Sequence, residues 1–277
     1  MARVSLPKSQ VRARRRGRRA RTALLLVTLL LALLGGIIWF LHAPFVRVAA
    51  IYISGAESVT QAQVREAVRN AISGTYLYAI PKDSIFFYPK RTIEQSLIER
   101  FPELKSVVVR ADNFDTLAVA VAERAPQALW CGAGASSTGC ALMDDGGVVY
   151  APAADFSGDA YVHYFGAVVP LLAGAPLPTQ YLTEKNYSAL SALVVAIGET
   201  QKDDPIGQVV VDENNDVRVY FWKDFLLIFS LNDDSADVYE RFTLALTAEP
   251  FTTHALPDFE YLDLRFGDKL YYKLKGQ

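Results

Sequence analysis

Cysteine and histidine are scarce in this 277-residue chain, and their scarcity already excludes several chemistries. Two cysteines, Cys131 and Cys140, rule out a disulfide-rich scaffold and leave room for one bridge. Three histidines, His42, His163 and His254, stand at spacings that fit neither a metal motif nor a metalloprotease helix. There is no Gly-x-Ser-x-Gly elbow and no phosphate-binding loop. Gly132-Ala133-Gly134 begins like a dinucleotide fingerprint, but no third glycine follows at the right interval, so a flexible loop is the simpler reading. The acid pairs Asp144-Asp145, Asp203-Asp204 and Asp233-Asp234 lie beside turns or helix starts, where solvated carboxylates are expected rather than general acid–base groups. No nucleophile has an evident base. The residues therefore predict a body that is not an enzyme and takes no metal, other cofactor or small-molecule substrate.

Acid is missing from one end. Met1 to Arg21 carries nine basic residues and no Asp or Glu, and the remainder holds nineteen basic against thirty acidic residues, a net −11. A body so acidic is a poor nucleic-acid binder. The basic tail has a use of its own, because Thr22 to Leu41 is an uncharged run of twenty residues. As a helix it spans about 30 Å, the thickness of a bilayer's hydrocarbon core. Positive flanks stay in the cytoplasm, and Trp39 sits where an indole ring can lie among headgroups. A cleaved secretory signal would need a shorter apolar stretch and a small-x-small site, which Phe40, Leu41 and His42 do not supply. The expectation is a single-pass membrane protein: residues 1–21 form a basic cytoplasmic tail whose first residues are disordered, 22–42 the membrane helix, and the rest lies on the far side of the membrane.

Pro44 is placed to end the anchor helix, and Phe45 to Gly55 reads as extended. Ser58 and Thr60, each followed three residues later by Gln, predict a capped helix carrying Val64, Ala67, Val68, Ala71 and Ile72. A long loop through Gly74, Pro81 and Pro89 leads to a second helix, starting at a Thr92–Gln95 cap, carrying Ile93, Leu97, Ile98 and Phe101, and stopped by Pro102. Strands LKSVVVRAD and TLAVAVAER follow, completing a three-stranded sheet with two helices on one face. From Pro126 the pattern is β-rich. It includes a hairpin turn at Asp145-Gly146-Gly147, a loop from Pro170 to Pro178, a helix near Thr183, strands around an Asn214-Asn215 turn, a helix near Asp234 and a final hairpin turning at Gly267-Asp268. In EYLDLRF, Tyr261, Asp263 and Arg265 alternate with Leu262, Leu264 and Phe266, so one face is expected in the core and the other toward a partner.

An anchor followed at once by a strand-helix-helix-strand-strand unit resembles a POTRA domain. The run VVVRADNFDTLAVAVAERAPQALW, with Val108-Val109-Arg110, Thr116-Leu117, Glu123-Arg124, Pro126 and Trp130, is similar to the end of that domain in the bacterial cell-division FtsQ/DivIB family. LMDDGGVVY and YLDLRFGDKLYYK resemble pieces of its β-domain. The resemblance implies an α+β fold: a transmembrane helix, a POTRA domain over 45–125, and a C-terminal β-rich domain with two helices over 126–277. It implies a divisome scaffold at the septum that recruits FtsB- and FtsL-like bitopic coiled-coil proteins, helps regulate septal cell-wall synthesis and meets other septal membrane proteins. The residues it assigns to the docking edge are Arg265, Phe266 and Gly267, more loosely Asp268, Leu270 and Tyr272, with Arg241 pairing an acid of the partner. An envelope protein of secretion or outer-membrane assembly is the alternative. The first unit reads equally as a spacer or as a further contact site. Departures from the pattern are the aromatic loop Tyr76 to Lys90 and the two cysteines. If the strands flanking GAGASSTG pair, Cys131 and Cys140 can bridge across them, stabilising the fold by about 2–3 kcal/mol; the other reading is two buried thiols.

Overall fold

The structure, a computed structural model, describes residues 8–77, 80–132, 139–154, 160–166 and 177–276. The chain has mixed α+β character and divides into two compact units, Met1–Ala122 and Glu123–Gln277.

The first unit begins with helix α1 (Lys8–Leu41). Its portion Arg21–Leu41 is, by length and composition, able to cross a membrane. The same helix extends back through the basic segment to Lys8, and the first residues, expected to be disordered, lie outside the described residues. Arg, Ala, Lys and Gln are strong helix formers, and an adjoining apolar helix supplies the costly nucleus. A 3-10 turn at Pro44–Val46 replaces the first part of the expected extended stretch. Strand β1 (Ala50–Ser54) follows, then α2 (Gln61–Ala71), capped as expected by Thr60: its Oγ1 accepts the Gln63 N–H while Gln63 Oε1 accepts the Thr60 N–H. The expected loop contains a small hairpin, β2 (Thr75–Tyr76) with β3 (Ile80–Pro81).

Helix α3 (Lys90–Arg100) starts two residues before the expected Thr92 cap, without any side-chain cap bond. The Pro89 carbonyl accepts the Ile93 N–H at 2.9 Å, so the helix ladder is already open at the proline, whose fixed φ suits a helix entry. Glu94 Oε1 accepts the Val109 N–H at 2.9 Å, tying α3 to β4 (Leu104–Ala111). Strand β5 (Thr116–Glu123) sits at the centre of the sheet β1-β5-β4 and runs parallel to β1, with Ile51 opposite Leu117. Val64, Val68, Ile93, Leu97, Leu117 and Val119 are buried together between helices and sheet. Gly55 has φ +82°, and a Cβ there would run into the Val121 carbonyl oxygen, so the end of β1 requires glycine.

Among the described residues the second unit holds one ten-stranded sheet, two α-helices and a 3-10 turn at Leu256–Asp258. In chain order its elements are β6 (Ala128–Trp130), β7 (Ala141–Met143), β8 (Val148–Pro152), β9 (His163–Gly166), β10 (Thr179–Gln180), α4 (Glu184–Thr200), β11 (Ile206–Val211), β12 (Asp216–Phe221), β13 (Leu226–Ser230), α5 (Ser235–Leu246), β14 (Phe259–Phe266) and β15 (Lys269–Leu274). The sheet order is β10-β8-β7-β6-β9-β11-β12-β13-β14-β15, so the last strand is an edge. Leu190, Val194 and Ile197 of α4 and Val238 and Phe242 of α5 are buried against Val209, Val219, Leu227, Phe259 and Leu262 of the sheet. Tyr164, Tyr181 and Tyr187 pack ring to ring at 5.7–6.3 Å, and burial pushes all three phenols well above their ordinary value. Most of the loop expected at Pro170–Pro178, the end of YVHYFGAVV and the Ala133-Gly134 loop lie outside the described residues.

The acid pairs are not simply solvated. Asp144 is 1% exposed, receives Arg124 Nη1 at 2.5 Å and accepts the Gly146 and Val148 N–H groups, both at 2.9 Å. Asp204 is also buried and accepts the Lys223 N–H, while Asp234 caps α5 by accepting the Ala236 N–H. These carboxylates satisfy turn and helix-start N–H groups that the ladders leave without partners.

Candidate partner-binding edge

Strand β15 pairs antiparallel with β14, with Leu262 opposite Tyr272 and Asp263 opposite Tyr271, and has no strand on its other side among the described residues. Such an edge presents unpaired N–H and C=O groups to any extended segment that approaches. The turn joining the two strands needs Gly267, whose φ is +63°. Phe266, Leu270, Tyr271 and Tyr272 are all exposed. Their rings are not independent: Phe266 meets Tyr271 edge-on at 4.9 Å, and Tyr272 meets Phe251 and Phe259, which stack on each other at 4.3 Å. Tyr272 is thereby fixed from the core side.

Behind this edge the two arginines are engaged within the chain. Arg265 Nη2 lies 2.6 Å from Asp263 Oδ2, its Nη1 2.5 Å from Asp216 Oδ2, and its guanidinium 5.6 Å from the Phe266 ring. Hydrogen bonding to Asp263 pushes the guanidinium further above its ordinary value, against the opposing effect of burial. Arg241, on α5, gives Nη1 to the carbonyls of Leu264 at 2.9 Å and Gly267 at 3.3 Å, and Nη2 to Asp233 at 2.6 Å. It fastens the helix to the hairpin turn.

The geometry therefore sorts the expected residues. Phe266, Leu270 and Tyr272 are apolar surface, Gly267 and Asp268 form the turn, Arg241 holds the turn in place, and Arg265 ties β14 to Asp216 of β12. The expected outward face of β14 is corrected at Asp263, which is 5% exposed, and Phe266 does not join the core. The register shifts between Asp263 and Phe266, and that irregularity breaks the strict alternation. Sequence reasoning passed over Tyr271, although a tyrosine between Leu270 and Tyr272 on an edge strand must expose its ring on one face or the other. It also did not foresee that Asp216, Asp233 and Asp263 engage the two arginines, since Asp216 lies on a distant strand and Asp233 and Asp263 were read as solvated or outward-facing acids.

Elsewhere in the unit, Cys131 and Cys140 are joined as a disulfide one position beyond the Trp130–Ala141 pair of the β6–β7 ladder. Among the described residues no three His, Cys, Asp or Glu side chains come together as a metal site.

The class so defined is a chain whose described residues hold one span-length apolar helix and fall into two compact units of mixed α+β character, the second with β15 at a sheet edge. The chain is 36% identical over 121 residues to a cell division protein FtsQ from Streptomyces bingchenggensis (strain BCW-1), which supports an FtsQ-like family. The match spans 43% of this chain and 42% of that protein's length. No family model matches the sequence.

Proposed function

We propose that the protein is a non-enzymatic, membrane-anchored scaffold of bacterial cell division, with its N-terminus in the cytoplasm and both units outside the membrane. The first unit, strand-helix-helix-strand-strand over residues 45–125, is read as a POTRA domain and the part over 126–277 as the FtsQ-type β-domain. The scaffold captures FtsB- and FtsL-like bitopic coiled-coil proteins by strand addition at β15 and thereby brings them to the septum, where cell-wall synthesis is regulated. The observation that carries this reading is the open β15 edge, whose exposed Phe266, Leu270, Tyr271 and Tyr272 stand on a hairpin braced by Arg241 and Arg265. Backbone groups supply the affinity of such an edge and alternate side chains the specificity. The name of the Streptomyces relative supports the cell-division role and does not favour the secretion alternative. Live-cell imaging of an N-terminal fluorescent fusion tests it. A midcell band that appears as cells constrict is expected, and an even membrane signal throughout the cycle would overturn the reading.

A further inference from the structure

The first unit carries a second group of exposed rings that neither its core nor the β15 edge uses. Phe40 closes α1, Phe45 lies in the 3-10 turn after it, Phe86 and Phe87 come from the loop before α3, and Phe114 tips the β4–β5 connection. Phe45 is 58% exposed, Phe86 53% and Phe114 73%. They are gathered rather than scattered. The Phe40 ring meets Phe45 edge-on at 5.5 Å and stacks on Phe86 at 6.4 Å. Phe86 and Phe114 both line a shallow notch of about 310 Å³, completed by Ile85, Ala111, Asp112 and Asn113.

The backbone holds this loop against the exit of α1. The Val48 N–H donates to the Asp83 carbonyl at 2.8 Å, the Ile85 N–H donates to the Val46 carbonyl at 2.9 Å, and the Arg47 guanidinium grips the Asp83 carboxylate through Nε and Nη2. Contiguous exposed apolar surface of this kind marks a contact. What covers it follows from where α1 ends. The span-length segment closes at Leu41, so a bilayer that contains it has its outer boundary at Phe40, and Phe40 belongs to the patch. Aromatic rings are enriched at that depth because headgroups and acyl chains meet there.

We propose that the patch of Phe40, Phe45, Phe86 and Phe114 rests on the outer boundary of the bilayer that α1 crosses, so that the first unit lies on the membrane instead of standing off it. The inference rests on the reading of α1 as a membrane span. The partner is the lipid interface itself, and the patch is continuous with the helix inserted in it.

The test uses the full chain, one copy per nanodisc of phosphatidylcholine and phosphatidylglycerol, with the native cysteine pair oxidised. One nitroxide at a time is placed by Asn113→Cys in the notch, Glu99→Cys on exposed α3, or Leu31→Cys within α1. Collisional access to oxygen and to a water-soluble nickel chelate is then measured. The Asn113 label is expected to show several-fold less nickel access than the Glu99 label, and Phe86→Glu with Phe114→Glu should restore it. An Asn113 label as open to nickel as Glu99, with Leu31 deep in lipid, overturns the proposal and leaves the span intact. A Leu31 label open to nickel overturns both. Protection of Asn113 found in native membranes but missing in nanodiscs points to a protein cover and also overturns it.

Discussion

Arg265 and Asp216 stand 49 residues apart, and the guanidinium Nη1 of one reaches the Oδ2 of the other at 2.5 Å across the intervening strand β13. The same guanidinium holds Asp263 through Nε and Nη2, so one side chain satisfies two carboxylates, of which Asp263 is 5% exposed. Arg265→Ala leaves Asp263 buried without its cation. The expected loss is about 2–3 kcal/mol, below the full value for a buried pair because the guanidinium is partly solvated. Arg265→Lys should recover only part of it, since an ammonium cannot form the fork. Denaturant unfolding of the full chain in detergent, followed by the fluorescence of Trp130 and Trp222 with Trp39 replaced by Phe in every protein compared, measures this. A loss under about 0.5 kcal/mol would show that the pairing is idle.

Phe266 has the opposite character. Its ring is half exposed and touches Tyr271 and the Arg265 guanidinium, so Phe266→Glu removes little from the core. If the edge is the docking surface, the substitution weakens capture of an FtsB-like partner by about tenfold or more, as expected for an aromatic anchor. Circular dichroism should stay unchanged. Equal binding by the two proteins, measured on the purified full chain, would remove Phe266 from the interface.

The contrast between these neighbours shows what was legible in the sequence. Helical periodicity located α2, α4 and α5, and strand patterning located β5 and β12, because each of these elements buries one face; β14 was located as a strand, but its alternation fails where its register shifts between Asp263 and Phe266. The Thr60–Gln63 box and the Asn214-Asn215 turn were legible because their bonds close within four residues. Asn215 has φ +65°, which asparagine tolerates better than most side chains. The start of α3 was not legible, since Pro89 and Thr92 both make acceptable beginnings and the choice falls to packing. Nor were the engagements of Arg241 and Arg265, because Asp216 and Asp233 come near them only when the sheet and α5 are assembled. A docking role read from residue type alone overlooks that an arginine can be used up inside the fold.

Cys131 and Cys140 close a short loop at the end of the β6–β7 ladder. Replacing both with serine restores freedom to the unfolded chain and should cost about 3 kcal/mol by chain entropy. Alkylation of the folded full chain without reductant should label neither cysteine, and labelling of both after reduction should accompany the drop in stability. Full labelling before reduction would mean that the bridge does not form in the purified protein.

Asp144 is where a turn acid has become structural. Its carboxylate is 1% exposed, takes two backbone N–H groups and Arg124, and sits in the hairpin whose Gly147 packs against Tyr187. Arg124→Ala strands this charge in the interior and is expected to destabilise the second unit by about 3–5 kcal/mol. Arg124→Ala combined with Asp144→Asn should lose less than the single change, because no uncompensated charge remains. Thermal unfolding of the three proteins decides the order. A double variant weaker than Arg124→Ala would mean that the hydrogen bonds of Asp144 to its turn outweigh its charge pairing.

Strong acid should loosen the β11–β12 turn through Asp212. Burial opposes ionisation there, but the N–H groups of Asp216 and Asn214 and the Arg218 guanidinium, 2.9 Å away, outweigh it and hold the carboxyl below its ordinary 3.8. A carboxyl whose folded value is depressed contributes stability above the unfolded value and loses that contribution as pH falls through the folded one. The contribution of Asp212 is thus complete above about pH 5 and gone at strongly acid pH. Asp212→Asn can still accept both backbone N–H groups through its amide oxygen, so the turn persists while the charge and its pH dependence are removed. The variant should be less stable than the parent at pH 7 and should show a shallower fall in stability between about pH 4 and pH 2. Unfolding curves collected across that range would give parallel slopes for the two proteins if Asp212 titrated alike in the folded and unfolded chain, and parallel slopes would therefore sink the assignment.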